Sequence, residues 1–92
     1  MTDAAAAVTA TICNQRGLHA RAAARFVKTV ERFDAEVTVT RKDATVSGRS
    51  IMGLMMLAAG PGSEVELRAT GPDAQQALAA LVKLISDKFD EA

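Results

Sequence analysis

The sequence predicts an α/β domain of the α+β type: an open-faced βαββαβα sandwich, with a four-stranded antiparallel sheet and three helices on one face. Three observations lead there. Four stretches alternate apolar and polar residues with a period of two, the signature of half-buried strands. Three others space their apolar residues as a helix does. Every alternating stretch keeps one polar face, as in a sheet covered on one side only.

The first strand is read over residues 6–13, "AAVTATIC", with Ala6, Val8, Ala10 and Ile12 inward and Ala7, Thr9, Thr11 and Cys13 outward. "NQRG" breaks it. From His19 or Ala20 to about Arg32 the spacing is helical: Ala23, Phe26, Val27 and Val30 form one stripe, while Arg21, Arg25, Lys28 and Arg32 fall outside it. Val37 and Val39 then alternate with Glu36, Thr38 and Thr40, and Ala44 and Val46 with Thr45 and Ser47. "RKD" between them reads as a hairpin turn. "SIMGLMMLAAGPG" is a short apolar helix that begins at Ser50 and ends before Gly60, with Leu54, Leu57 and Ala58 toward the core. "SEVELRAT" alternates again, with Val65, Leu67 and Ala69 inward. Asp73 is placed to cap a final helix carrying Ala77, Leu78, Leu81, Leu84, Ile85 and Phe89.

Length and composition bound the function. Residues 1–92 suit one domain, with residues 1–5 expected as a flexible N-terminus. Hydrophobic residues make up 49% of the chain, enough for a core without metal or disulfide staples. With three Phe and no Trp or Tyr, that core is aliphatic. Eleven basic and eleven acidic residues give zero net charge, which argues against nucleic acid or an anionic membrane as a general partner. The candidate outer sheet face also lacks aromatics on which bases could stack. Cys13 is alone, so no internal disulfide forms. No signal-peptide pattern and no apolar stretch of ~20 residues is present, so a soluble cytoplasmic protein without membrane insertion is expected.

The single histidine stands at the start of the first helix, in "NQRGLHARAAARF". Backbone N–H groups there lack helical partners, and the helix dipole places positive potential on them. That potential disfavours imidazolium and keeps His19 neutral and nucleophilic. The same N–H groups would hold a phosphoryl group on the ring, with Arg21 adding charge-assisted hydrogen bonds. Gly17 lets the loop approach closely. Many helix starts carry a plain capping histidine, so spacing alone leaves that simpler reading open.

Two segments carry a resemblance. "GLHARAAARFV" resembles the active-site stretch of the histidine-containing phosphocarrier (HPr) family of the phosphoenolpyruvate-dependent phosphotransferase system. "SGRSIMGLMMLAAGPGSEVEL" resembles the second signature segment of that family. The resemblance implies that His19 carries the phosphoryl group on Nδ1, with enzyme I as donor and a IIA protein or domain as acceptor. It implies that Arg21 steadies the phosphoryl group. It also implies that Ser50 is the regulatory serine modified by an HPr kinase/phosphorylase in some bacteria. No cofactor is implied, and the protein is a substrate of its partner enzymes rather than an enzyme. One departure stands out: Ala22 occupies the place of the family's usual proline. Alanine suits a first helical turn, so the fold tolerates it, but membership of the sugar-transport branch is put in doubt and a nitrogen-regulatory branch comes into view.

Ser50 is in any reading a good N-cap for the helix after it. That helix has almost no polar face, which leaves Met52, Met55 or Met56 partly exposed; methionine suits a surface that fits several partners, and Ile51, Met52, Met55 and Met56 are its candidate partner-binding residues. Gly53 would allow close approach. Arg16, Arg21, Arg25, Lys28 and Arg49 form a candidate basic rim that would steer acidic partners. A monomer suits a carrier that presents one face to successive partners.

Three competing readings are weaker or subordinate. Cys13 and His19 as nucleophile and base lack an orienting Asp or Asn and a deep pocket. One His and one Cys cannot build a structural metal site, so none is expected. A binding module working only through phosphorylation of Ser50, without phosphate relay, would have no need of the His19–Arg21 pair.

Overall fold

The computed structural model describes residues 5–91. The elements run β1 (Ala5–Thr11), α1 (Ala20–Val30), β2 (Glu36–Arg41), β3 (Ala44–Ser47), α2 (Ile51–Met56), β4 (Glu64–Thr70) and α3 (Ala74–Ser86), followed by a short turn at Lys88–Asp90. The predicted order is the observed one. The sheet order is β1-β4-β2-β3, and every neighbouring pair is antiparallel.

The register explains the one-sided core. Val8 pairs with Leu67, Leu67 with Val39, and Val39 with Val46, so one apolar row crosses all four strands. Its centre, Leu67 and Val39, is buried, and its ends at the edge strands are half-buried. One residue along, Thr9, Glu66, Thr40 and Thr45 make the matching polar row, with the Thr40 and Thr45 hydroxyls 2.8 Å apart. A one-residue slip would exchange the two rows, which is why the pairing is fixed so firmly. Phe26 and Val30 of α1, Leu54 of α2, and Leu81 and Ile85 of α3 close the core over the apolar row.

Several boundaries differ from the sequence reading. β1 stops at Thr11 rather than Cys13. Ile12 remains buried, but it bonds the turn before β4, with its N–H on Ser63 O (2.8 Å) and its carbonyl accepting from Gly62 N–H (2.7 Å). Ala5, expected in a flexible terminus, is already paired with Thr70; residues 1–4 lie outside the described residues. α1 ends at Val30 with Glu31 as its C-cap, short of Arg32. Ala44 is exposed, because β3 is a four-residue edge strand from which only Val46 reaches the core. Ala58 is exposed too. The backbone turns left-handed there (φ 53°), so Ala59 is the residue that enters the core.

Asp73 holds the N-cap position of α3 but bonds elsewhere. Its Oδ2 accepts from Asp34 N–H (2.8 Å) and its own N–H donates to Asp34 O (3.0 Å), so it ties the start of α3 to the loop after α1. Phe89 lies beyond α3, in the terminal turn, and is fully buried.

Candidate functional site

His19 is the N-cap residue of α1, with extended backbone (φ −77°, ψ 178°), and its side chain makes no cap bond. The first helical bond runs from Ala23 N–H to His19 O (2.9 Å), so the N–H groups of Ala20, Arg21 and Ala22 precede the helical ladder. The loop before it is tightly held. Gly17 is left-handed (φ +64°), and a Cβ there would come 2.8 Å from Gly60 Cα. Leu18 N–H donates to Ala59 O (3.0 Å). Glycine at position 17 thus lets the histidine loop press on the Ala59–Gly60 backbone.

The ring itself is held by a residue the sequence reading missed. Nε2 of His19 lies 2.6 Å from Oε2 of Glu91, with both side chains about one-fifth exposed (17% and 20%). The same Oε2 accepts from Asn14 Nδ2 (2.9 Å), and that amide also donates to Gly17 O (2.8 Å). The hydrogen bond from His19 holds the Glu91 carboxyl below its usual 4.5, helped by Asn14 and by the charge of Arg16 and opposed by partial desolvation. An ionised carboxylate only accepts, so Nε2 carries the hydrogen. In the neutral ring the lone pair is then on Nδ1.

Arg16, Arg21 and Arg25 line one cleft with His19, Asp90 and Glu91. A second groove joins Arg16, Leu18 and His19 to Met55 and Ala59. The predicted residues therefore divide. Arg16, Arg21, Arg25 and Met55 gather about His19. Lys28 lies on a neighbouring groove with Arg32 and Leu84 that shares Arg25 and Asp90 with the His19 cleft, and the exposed Arg49 sits just before α2.

Ser50 caps α2, its Oγ accepting from Gly53 N–H at 2.9 Å. Ile51, Met52, Met55 and Met56 are 42, 69, 40 and 76% exposed, so four large apolar side chains of α2 face solvent together. Gly53 has an internal reason to be glycine: a Cβ would come 3.0 Å from Ser50 Oγ and 3.1 Å from Val46 Cβ. Cys13 is exposed and its thiol donates to Ile85 O (3.3 Å). Among the described residues, no group of three His, Cys, Asp or Glu could hold a metal.

A family model for the phosphorylation site of the HPr component of the phosphotransferase system matches residues 6–87. The chain belongs to the HPr family. It is 50% identical over 80 residues to the phosphocarrier protein HPr of Neisseria meningitidis, covering 87% of this chain and 90% of that one. It is 45% identical over 82 residues to the phosphocarrier protein NPr of Shewanella violacea, covering 89% and 90%. Its structure resembles that of HPr from Thermoanaerobacter tengcongensis with a TM-score of 0.89 at 44% identity, over 95% of this chain and 98% of the other. HPr proteins carry a phosphoryl group and are not enzymes, and the open-faced four-stranded fold read from the sequence is theirs. Among the described residues, no helix is long and apolar enough to cross a membrane.

The hydrogen-bond frame around the histidine, Asn14 and Glu91, escaped the sequence reading for different reasons. Asn14 looked like one more loop residue in "NQRG". Glu91 follows a turn that places three consecutive non-glycine residues in left-handed backbone, a conformation with no sequence signal.

Proposed function

We propose that His19 is the phosphoryl carrier, loaded by phosphorylated enzyme I and unloaded by a IIA protein or domain in the cytoplasm. One observation carries this reading: the only imidazole stands at the start of α1, bonded through Nε2 to a carboxylate, in a cleft with three arginines. Nδ1 attacks the phosphorus of the phosphohistidine on enzyme I. The new N–P bond forms as the old one breaks, and the electron pair of the broken bond stays on the enzyme I ring. Arg21 and the N–H groups of Ala20–Ala22 balance the charge of the transferred group. Delivery to IIA is the same step in reverse.

Ile51, Met52, Met55 and Met56 form the apolar docking centre, and Arg16, Arg21, Lys28 and Arg49 attract acidic partner surfaces around it. Ser50 regulates docking: a phosphate placed there by an HPr kinase/phosphorylase adds negative charge beside that centre. The carrier works as one domain and one monomer. It serves a sugar or a nitrogen branch, and similarity to both HPr and NPr proteins supports either output.

The test is phosphoryl transfer from phosphoenolpyruvate through purified enzyme I, read by intact mass. Wild type is expected to gain one acid-labile phosphoryl group and His19→Ala none. Failure of wild type with enzymes I of several bacterial groups would overturn the reading.

A further inference from the structure

The turn after α3 is unusual. Lys88, Phe89 and Asp90 have φ of 57°, 55° and 59°, a run of left-handed backbone that L-residues resist. Besides its own backbone bonds, Asp90 N–H to Asp87 O and Glu91 N–H to Lys88 O (both 3.0 Å), two contacts tie it to the rest of the fold. The Phe89 ring is fully buried, and the Phe89 carbonyl accepts from the Arg25 guanidinium of α1. Just past this point the chain delivers Glu91 to Nε2 of His19 (2.6 Å) and to the Asn14 amide (2.9 Å).

Arg25 thus sits at one end of a short chain of contacts whose other end is the reactive ring. It lies six residues along α1 from His19, and it lines the same cleft. We propose that Arg25 is a positioning residue for phosphoryl acceptance. Through the Phe89 carbonyl it fixes the terminal turn, the turn fixes the Glu91 carboxylate, and the carboxylate keeps the ring hydrogen on Nε2 and the lone pair on Nδ1. The inference rests on the carrier role of His19 and adds to it the device that keeps the ring ready. A guanidinium suits the task, because it is always charged and reaches a backbone carbonyl with a planar donor group.

The test combines a spectrum that needs no partner with a rate that does. The variants are Arg25→Met, which keeps the apolar stem without donors, Arg25→Lys, Glu91→Ala and the double variant. At pH ~9, above the ordinary imidazole range, 15N spectra of His19 report which ring nitrogen carries hydrogen and how fast that hydrogen exchanges. Wild type is expected to show a slowly exchanging Nε2–H alone. Arg25→Met is expected to show faster exchange and some Nδ1–H, as does Glu91→Ala, with Arg25→Lys in between.

Loading by enzyme I is expected to fall roughly tenfold in kcat/KM for Arg25→Met, inside the ~100-fold that misplacement of a reacting group can cost. Glu91→Ala is expected to lose a similar factor, and the double variant no more than the worse single. An unchanged His19 spectrum in a folded Arg25→Met protein would overturn the proposal. So would multiplying rate losses in the double variant, since Arg25 would then act on the phosphoryl group or partner directly. A wild type that shows the expected spectrum but takes no phosphoryl group would sink the carrier reading and leave the positioning of the ring standing.

Discussion

Replacing Gly17 by alanine separates two effects that the structure assigns to that position. The first is backbone: at φ +64° an L-residue loses about 1–2 kcal/mol relative to glycine. The second is contact. The new Cβ would lie 2.8 Å from Gly60 Cα, short of the ~3.5–4.0 Å optimum for carbon pairs, so backbone on one side must move by roughly 1 Å. Forced packing of this kind costs about 1–3 kcal/mol. A total near 3 kcal/mol lowers Tm by roughly 12–24 °C in a domain of this size.

Two neighbouring glycines serve as controls. Gly62 is left-handed (φ +89°) with open space about it, so Gly62→Ala loses the backbone share alone, about 1–2 kcal/mol. Gly60 has open space and no left-handed backbone, so Gly60→Ala stays within ~0.5 kcal/mol of wild type. Urea unfolding of all three, with phosphoryl transfer measured well below each Tm, is the assay. Gly17→Ala is expected to be the least stable and also slow in transfer, because the displaced loop carries His19. A Gly17→Ala protein no less stable than Gly62→Ala would refute the contact argument, and one matching Gly60→Ala would refute both parts.

Ser50→Ala removes the one side-chain cap of a six-residue helix. It is expected to lower stability by about 1 kcal/mol, or roughly 4–8 °C in Tm by calorimetry, with Ser50→Asp restoring most of it. Met56→Asp, at a site 76% exposed, is expected to leave stability within ~0.5 kcal/mol while raising the KM for phosphorylated enzyme I roughly tenfold; an unchanged KM would remove Met56 from the docking surface. For acid dependence, the folded state lowers the Glu91 pKa, so its contribution is complete above the unfolded value of 4.5 and is lost as pH falls through the folded value. Amide spectra of residues 88–91 should therefore show a carboxyl titration below pH 4.5 that Glu91→Ala removes. Its persistence in Glu91→Ala would point to another group.

The fold was legible because its determinants are periodic. The rows through Leu67 and Glu66 are visible as alternation in each strand, and the α1 stripe of Ala23, Phe26, Val27 and Val30 as helical spacing. The histidine and the exposed methionines were legible as exceptions to those patterns. Features that depend on one strand end meeting another were not. Asp73 has the residue type and position of a cap, but the Asp34 amide competes for its carboxylate. Ala44 follows the alternation and is exposed because, among the described residues, β3 has no further neighbour. Phe89 fits the apolar spacing of α3, while the backbone reverses before it and sends Glu91 back to His19.

The place of β1 in the sheet has a consequence for how the protein is made. Ala5 meets Thr70 and Thr11 meets Glu64, and among the described residues β1 has no other strand beside it. A ribosome must therefore release most of the chain before the first strand finds its seat, whereas β2 and β3 pair across a two-residue turn as soon as they emerge. Such distant pairing makes folding slow and leaves an edge unprotected during synthesis. The waiting strand, "AAAVTAT", has Val8 as its only large apolar residue. Its plainness gives passing nascent chains little to stick to.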